Sequence, residues 1–380
     1  MKTKNKADIA IIGAGIVGLA HAYAAAKRGL KVVVFERTQK AIGASVRNFG
    51  LIWPIGQAPG HSYQRALVSR GIYLDLAPKA GFWLNQNGAI HLAYHPDEFN
   101  VLEEFYEKSK ELGFDCDFIR SDFSFRNNII KTDGLKGALY SKTELTVDPR
   151  EIISKLPAFL EKEYQVKFRF GTAVTNIDVP YVNTFEEEWR TEKIFICSGA
   201  DFETLYPEVF ASTNITKCKL QMMRTSAQSS NWKLGPTLCA GLTLLHYAAF
   251  RHCESLSILK ERSEKEYPEF LKWGIHVLLA QNGLGELIIG DSHEYSLNPE
   301  PFDKEFINQL IIDYLQTFVN IPDLQITERW HGIYPKLEGQ TEFIAHPEKN
   351  VIIVNGLGGA GMTLSFGLAE ENMTKLLIEA

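Results

Sequence analysis

One short stretch, Gly13-Ala14-Gly15-Ile16-Val17-Gly18, constrains this chain more than any other. It lies between a β-branched run, Ile9–Ile12, and an alanine-rich segment over 17–28 that reads as a helix. Each glycine has its own task. Gly13 permits a tight turn, Gly15 lets the backbone approach a pyrophosphate, and Gly18 lets helix pack on strand. The helix start then offers free N–H groups and partial positive charge to the phosphates, with Ile16 and Val17 in the first turn. A second apolar run over 31–36 ends in Glu36, near the spacing of about 20 residues at which a carboxylate accepts from ribose hydroxyls. This is a dinucleotide-binding βαβ unit. The motif alone suits NAD as well as FAD.

A second glycine series, Gly356-Leu357-Gly358-Gly359-Ala360-Gly361, follows another β-branched run, Val351–Asn355. Only 19 residues come after Gly361, too few for a further strand bearing a ribose-binding acid. It is therefore expected not to hold a second dinucleotide. Its N–H groups can instead face the other end of the same cofactor, where a flavin ring that becomes anionic on reduction would be stabilised. An ordinary strand-to-helix turn is the competing reading.

At 380 residues the chain has room for two domains. Helices are expected over 62–76, 97–112, 149–164, 254–273 and 301–319, with Asp148 and Pro149 as cap and first turn of the third. Strand texture recurs over 81–92, 166–177, 193–197 and much of 217–291. The fold class this implies is mixed α/β. A Rossmann-like dinucleotide domain (1–80, 145–213 and 327–380) is interleaved with an antiparallel-sheet substrate domain (81–144 and 214–326).

Composition removes several classes. A net charge of -6 argues against a nucleic-acid partner. Five scattered cysteines form no CxxC pair, which fits a reduced, cytoplasmic setting better than disulfides or zinc. The basic start lacks the continuous apolar run of a signal peptide, and no segment reaches the roughly 18 apolar residues of a membrane span. The ten histidines show no HxH or HExxH spacing, so no metal site is expected.

Four stretches, taken in order, resemble the D-amino acid oxidase, glycine oxidase and sarcosine oxidase superfamily of FAD enzymes. They are residues 8–37, ending in Glu36-Arg37; 43–50, containing Ala44, Ser45, Arg47 and Asn48; 171–174 with 196–200, containing Val174, Ser198 and Gly199; and 330–335 with 356–363, reaching Met362 and Thr363. The resemblance implies a D-amino acid oxidase-like fold and contacts to FAD from those residues. Residues 243–250 and 290–295 are similar to a narrower branch associated with phosphonate breakdown. That branch implies an aminophosphonate such as 2-aminoethylphosphonate or its N-methyl form.

Three departures sharpen the expectation. Glycine and D-amino acid oxidases place an arginine where Tyr334 stands, and glycine oxidase another where Gly359 stands. Losing both planar forks argues against an ordinary α-amino acid. Residues 46–48 offer no histidine for covalent attachment, and the C-terminal cysteine of sarcosine oxidase is missing, so FAD is expected to be non-covalent.

The expected reaction moves hydride from the carbon beside an amine nitrogen to the flavin, with oxygen or another carrier as final acceptor. An alkylamine of pKa about 10 is neutral roughly one part in a thousand at pH 7, a handicap near 4 kcal/mol. A desolvating pocket reduces it, and no obligatory general base is needed. Trp330 and Tyr334 are the pocket candidates, with aromatic core packing as the competing reading. Arg47 and Asn48 are candidates for flavin or substrate anion. His246, Tyr247 and His276 are further candidates, as is Lys336 for an anion. Glycine, sarcosine or D-amino acid oxidation, a structural or redox-sensing flavoprotein, and an NAD enzyme remain alternatives.

Overall fold

The expected βαβ unit forms the centre of a six-stranded sheet. The computed structural model describes residues 3–120 and 129–378. The sheet order is Lys167–Phe170, Val32–Glu36, Ile9–Ile12, Lys193–Ile196, Val351–Asn355 and Phe343–Ala345, parallel except at the last pair. Near-continuous Val, Ile and Phe in these strands is what a sheet buried on both faces requires. The helix Ile16–Ala26 is almost wholly buried because alanines let it lie close to the sheet and to the helix Gly361–Ile378. The last two residues and Met1 and Lys2 lie outside the described residues.

A larger, nine-stranded sheet supplies the second core. It runs Glu294–Ser296, Thr216–Ala227, Glu286–Gly290, Leu278–Gln281, Thr237–Ala240, Ala89–Ala93, Gly137–Ser141 and Cys116–Ile119. The strand Ile326–Lys336 pairs antiparallel along Thr216–Ala227. It thus belongs to this sheet, whereas the sequence division placed residues from 327 onward with the dinucleotide unit. The helix Glu305–Phe318 buries Ile307, Ile311, Leu315 and Phe318 against the sheet. No helix among the described residues is long and apolar enough to cross a membrane.

Helix limits differ from expectation in several places, the 97–112 helix being Pro96–Ser109 and the 301–319 helix Glu305–Phe318. The segment 254–273 splits into Leu256–Glu266 and Pro268–Lys272, since Pro268 offers no N–H to continue the first helix. The 62–76 helix extends to Ala80 and stops at Gly81, which takes the left-handed conformation that favours glycine (φ 74°).

One buried cation joins distant parts of the molecule. The Arg65 guanidinium, its side chain 4% exposed, forks onto Glu342 at 2.7 Å and Glu371 at 2.8 Å. Burial pushes the Glu342 carboxyl up, but the Arg65 hydrogen bonds outweigh it and hold the group below its usual range. Stability from this pair is therefore present above the ordinary glutamate pKa of about 4.3 and lost as pH falls through the depressed value. Arg65→Ala should destabilise the protein by about 3 kcal/mol at neutral pH, because two carboxylates lose their counter-charge. Urea midpoints of the variant should also show a shallower loss on going from about pH 5 to about pH 3; a midpoint equal to wild type would refute this role.

Candidate functional site

A cavity of about 1410 Å³ opens between the two sheets and is lined by both glycine-rich helix starts. Gly13 takes φ +106°, and a Cβ there would sit 2.3 Å from the Cys197 carbonyl oxygen. A Cβ on Gly18 would sit 1.9 Å from the Gly13 carbonyl oxygen. Only glycine allows this approach of helix, turn and strand. Gly18 itself does not line the cavity; it acts as the spacer that packs the helix on the strand.

At the helix start, the Ile16 N–H donates to Ser45 Oγ at 2.9 Å. Glu36 closes the second strand, accepting from the Ala14 N–H at 3.1 Å and from Thr38 N–H and Oγ. Its carboxylate is thereby fixed at the end of the strand, facing the cavity, where the sequence places ribose. Arg37 lines the same end but is paired with Asp201 at 2.7 Å. Ala44, Val174, Ser198 and Gly199 complete this region. Gly358, Gly359, Gly361, Met362 and Thr363 line the same cavity, and a Cβ on Gly361 would lie 3.9 Å from Ile16 Cγ2. The two glycine series therefore meet across one cavity.

Asn48 is used locally. Its amide donates to the Ala44 and Ser45 carbonyls at 2.9 and 3.0 Å and accepts from the Gly50 N–H at 2.7 Å, so it shapes the 44–50 loop. Arg47 lines the cavity and reaches the His331 carbonyl at 3.3 Å. Trp330 is not among the lining residues. Half-buried, it packs against the cluster around Leu220, Met222 and Tyr334 and donates its indole N–H to the Arg47 carbonyl at 3.3 Å.

Tyr334 and Lys336 do reach the cavity from the same face of their strand. The Tyr334 hydroxyl lies 3.5 Å from where a Cβ on Gly359 would be. The two positions singled out for their missing arginines are thus neighbours. The Lys336 side chain runs past Gly358, its Nζ 3.4 Å from where a Cβ would be there. Burial and the nearby Arg251 guanidinium hold the Lys336 amine below its ordinary range. Neither Lys336 nor Arg251 makes an ion pair or a side-chain hydrogen bond among the described residues.

Behind them lies a cluster that no local spacing announced. His246, at the end of the helix Leu242–His246, faces the cavity, with the His276 ring 3.7 Å from it centroid to centroid. His293 stands 4.9 Å from His246 and 5.0 Å from His276. Burial holds the His276 and His293 imidazoles below their usual pKa, His293 at about 4. Burial also keeps the Asp291 carboxyl well above its usual range. Tyr247 packs its ring on His276 at 5.7 Å. Arg251, Asp291 and His293 were not singled out as site residues; the last two lay inside the 290–295 stretch, while Arg251 carried no sequence signal.

The fold and the cavity define a protein with a glycine-lined cleft of dinucleotide type between a Rossmann-like sheet and a mixed, mostly antiparallel one. The chain belongs to the DAO family of FAD dependent oxidoreductases, whose sequence profile matches residues 8–372. FAD is accordingly its cofactor, and the glycine cradle at 13–18, the Glu36 carboxylate and the shared cavity fit that group. The chain is similar to glycine oxidase from Geobacillus kaustophilus, with TM-score 0.76 and 18% identity over 99% of this chain and 95% of that one. It is 27% identical to D-amino acid dehydrogenase 2 of Mesorhizobium japonicum, over 45% of this chain and 55% of the relative. It is 28% identical to glycerol 3-phosphate dehydrogenase of Caloramator mitchellensis, over 50% of this chain and 42% of the relative. The chain thus spans about half the length of these curated relatives.

Proposed function

We propose that this protein oxidises the carbon–nitrogen bond of a small amine bearing a compact anion, an aminophosphonate such as 2-aminoethylphosphonate or its N-methyl form. The observation that carries the reading is the pair of uncompensated cations, Lys336 and Arg251, in the wall of the cavity. Lys336 runs past Gly358, next to Tyr334 and Gly359, two positions that bring no guanidinium of their own to this part of the wall. A tetrahedral anion accepts at several angles, from the point charge of Lys336, the guanidinium fork of Arg251 and the hydroxyl of Tyr334.

Bound FAD supplies the hydride acceptor. The chain's own residues bind and orient. Cations at the anion end, and burial away from water, both lower the proton affinity of the substrate nitrogen, which reduces the cost of presenting a free lone pair. Fixing the C–H bond at the ring contributes more than any single contact. The products are an imine, then an aldehyde and an amine after hydrolysis. Five unpaired, buried cysteines support a reducing, cytoplasmic setting. The electron acceptor is oxygen or another carrier.

The test pairs each amino acid with its phosphonate analogue under anaerobic conditions and reads flavin bleaching. Faster reduction by the phosphonates, by at least about tenfold in rate over affinity, is expected. Preference for glycine, sarcosine or a D-amino acid would replace the substrate assignment and keep the amine chemistry. A flavin that stays oxidised with every amine would indicate a structural or redox-sensing role instead.

A further inference from the structure

We propose that His246, His276 and His293 form a binding site for a divalent transition metal of zinc type in the wall of the cavity. Their ligand nitrogens all lie within 4.8 Å of one another. Zn–N bonds of about 2.0–2.1 Å put tetrahedral ligand nitrogens roughly 3.4 Å apart, so the rings, which now lie at 35° and 20° to one another, would turn to converge on an ion.

Three further observations point the same way. First, both ring nitrogens of His276, 4% exposed, lack a hydrogen-bond partner, as does Asp291 Oδ1, 6% exposed. Buried polar atoms left this way are costly, and a cation would satisfy several at once. Second, His293 Nδ1 lies 2.9 Å from the Gly274 carbonyl. A carbonyl only accepts, so Nδ1 carries the proton and Nε2 keeps its lone pair. A backbone carbonyl that fixes the tautomer is the usual support of a metal-binding imidazole. Third, Asp291 Oδ1 stands 3.4 Å from His276 Nε2, so that ring has an oxygen beside it outside the group of three ligands.

The cations facing the cluster, Lys336 and Arg251, oppose a bare metal but are offset when an anionic oxygen completes its coordination. Tyr247 and Tyr334 close the remaining sides with aromatic rings. Sequence spacing could not foresee the site, because its ligands come from three separate segments.

The test is zinc titration of chelator-treated, FAD-loaded protein, with cobalt(II) absorption beyond about 500 nm reporting geometry. We expect one zinc per chain bound tighter than about 10 μM, and at least hundredfold weaker binding in both H246A and H276Q. Wild-type binding weaker than about 10 μM would overturn the site, as would binding unchanged in the variants. His246 faces open space, so H246A should load FAD normally; D291N offers a further variant should H276Q fail to fold. The readout needs no turnover, so failure of the aminophosphonate assignment would leave it standing, and the reverse also holds.

Discussion

Gly18→Ala is expected to yield a protein that purifies without flavin. The added methyl would stand 1.9 Å from the Gly13 carbonyl oxygen and 3.2 Å from Ile11 Cγ2. Backbone cannot give way by that much without moving the helix off its strand, and the helix start is what faces the pyrophosphate. Affinity for FAD should fall at least hundredfold, read as loss of absorbance near about 450 nm after desalting. Gly71→Ala is the control. Gly71 lies inside the helix His61–Ala80 with nothing within 4 Å of its Cβ position, so alanine there should be neutral or stabilising by up to about 1 kcal/mol. A Gly18→Ala protein as yellow as wild type would mean that the 13–18 turn does not cradle the cofactor.

The second large effect concerns the anion. On the proposed function, Lys336→Gln and Arg251→Gln should each weaken an aminophosphonate or a phosphonate competitor by about 2 kcal/mol or more, at least thirtyfold. Flavin content should stay unchanged. The readout is the perturbation of the flavin spectrum on titration of the oxidised enzyme. A pH dependence accompanies it. The Lys336 amine is held below its ordinary value of 10.5, so the protonated, anion-binding form is complete at low pH and is lost as pH rises through that lowered value. Binding should therefore weaken in wild type as pH rises, at a pH below the ordinary lysine range, and lose that limb in Lys336→Gln. Equal affinities in wild type and both variants would remove the anion from this end of the cavity.

Much of this architecture could be read from local pattern, and the parts that could not share one physical cause. The glycine turns, the Glu36 strand end and the Asp148-capped helix depend on residues a few positions apart, so their chemistry is written consecutively. The histidine cluster depends on tertiary packing: a short helix ends at His246, one strand begins after His276, and another ends before His293. Nothing in their spacing relates them. Trp330 shows the converse error. Strand alternation puts it on the same face as Tyr334 and Lys336, yet the 44–50 loop covers it, and alternation cannot see a loop from 280 residues earlier. Asn48 was legible as important but not in its role, since three local hydrogen bonds consume its amide.

Contact between the first and last long helices has a consequence for how the molecule is made. Residues 13–18 leave the ribosome early, whereas 356–378 emerge last among the described segments that line or back the cavity. At synthesis rates of about 5–20 residues per second, the nascent phosphate cradle waits roughly twenty seconds to a minute for its other half. Cofactor loading is thus a late event of biogenesis, and whatever guards the half-built cleft from misassociation has to act within that interval.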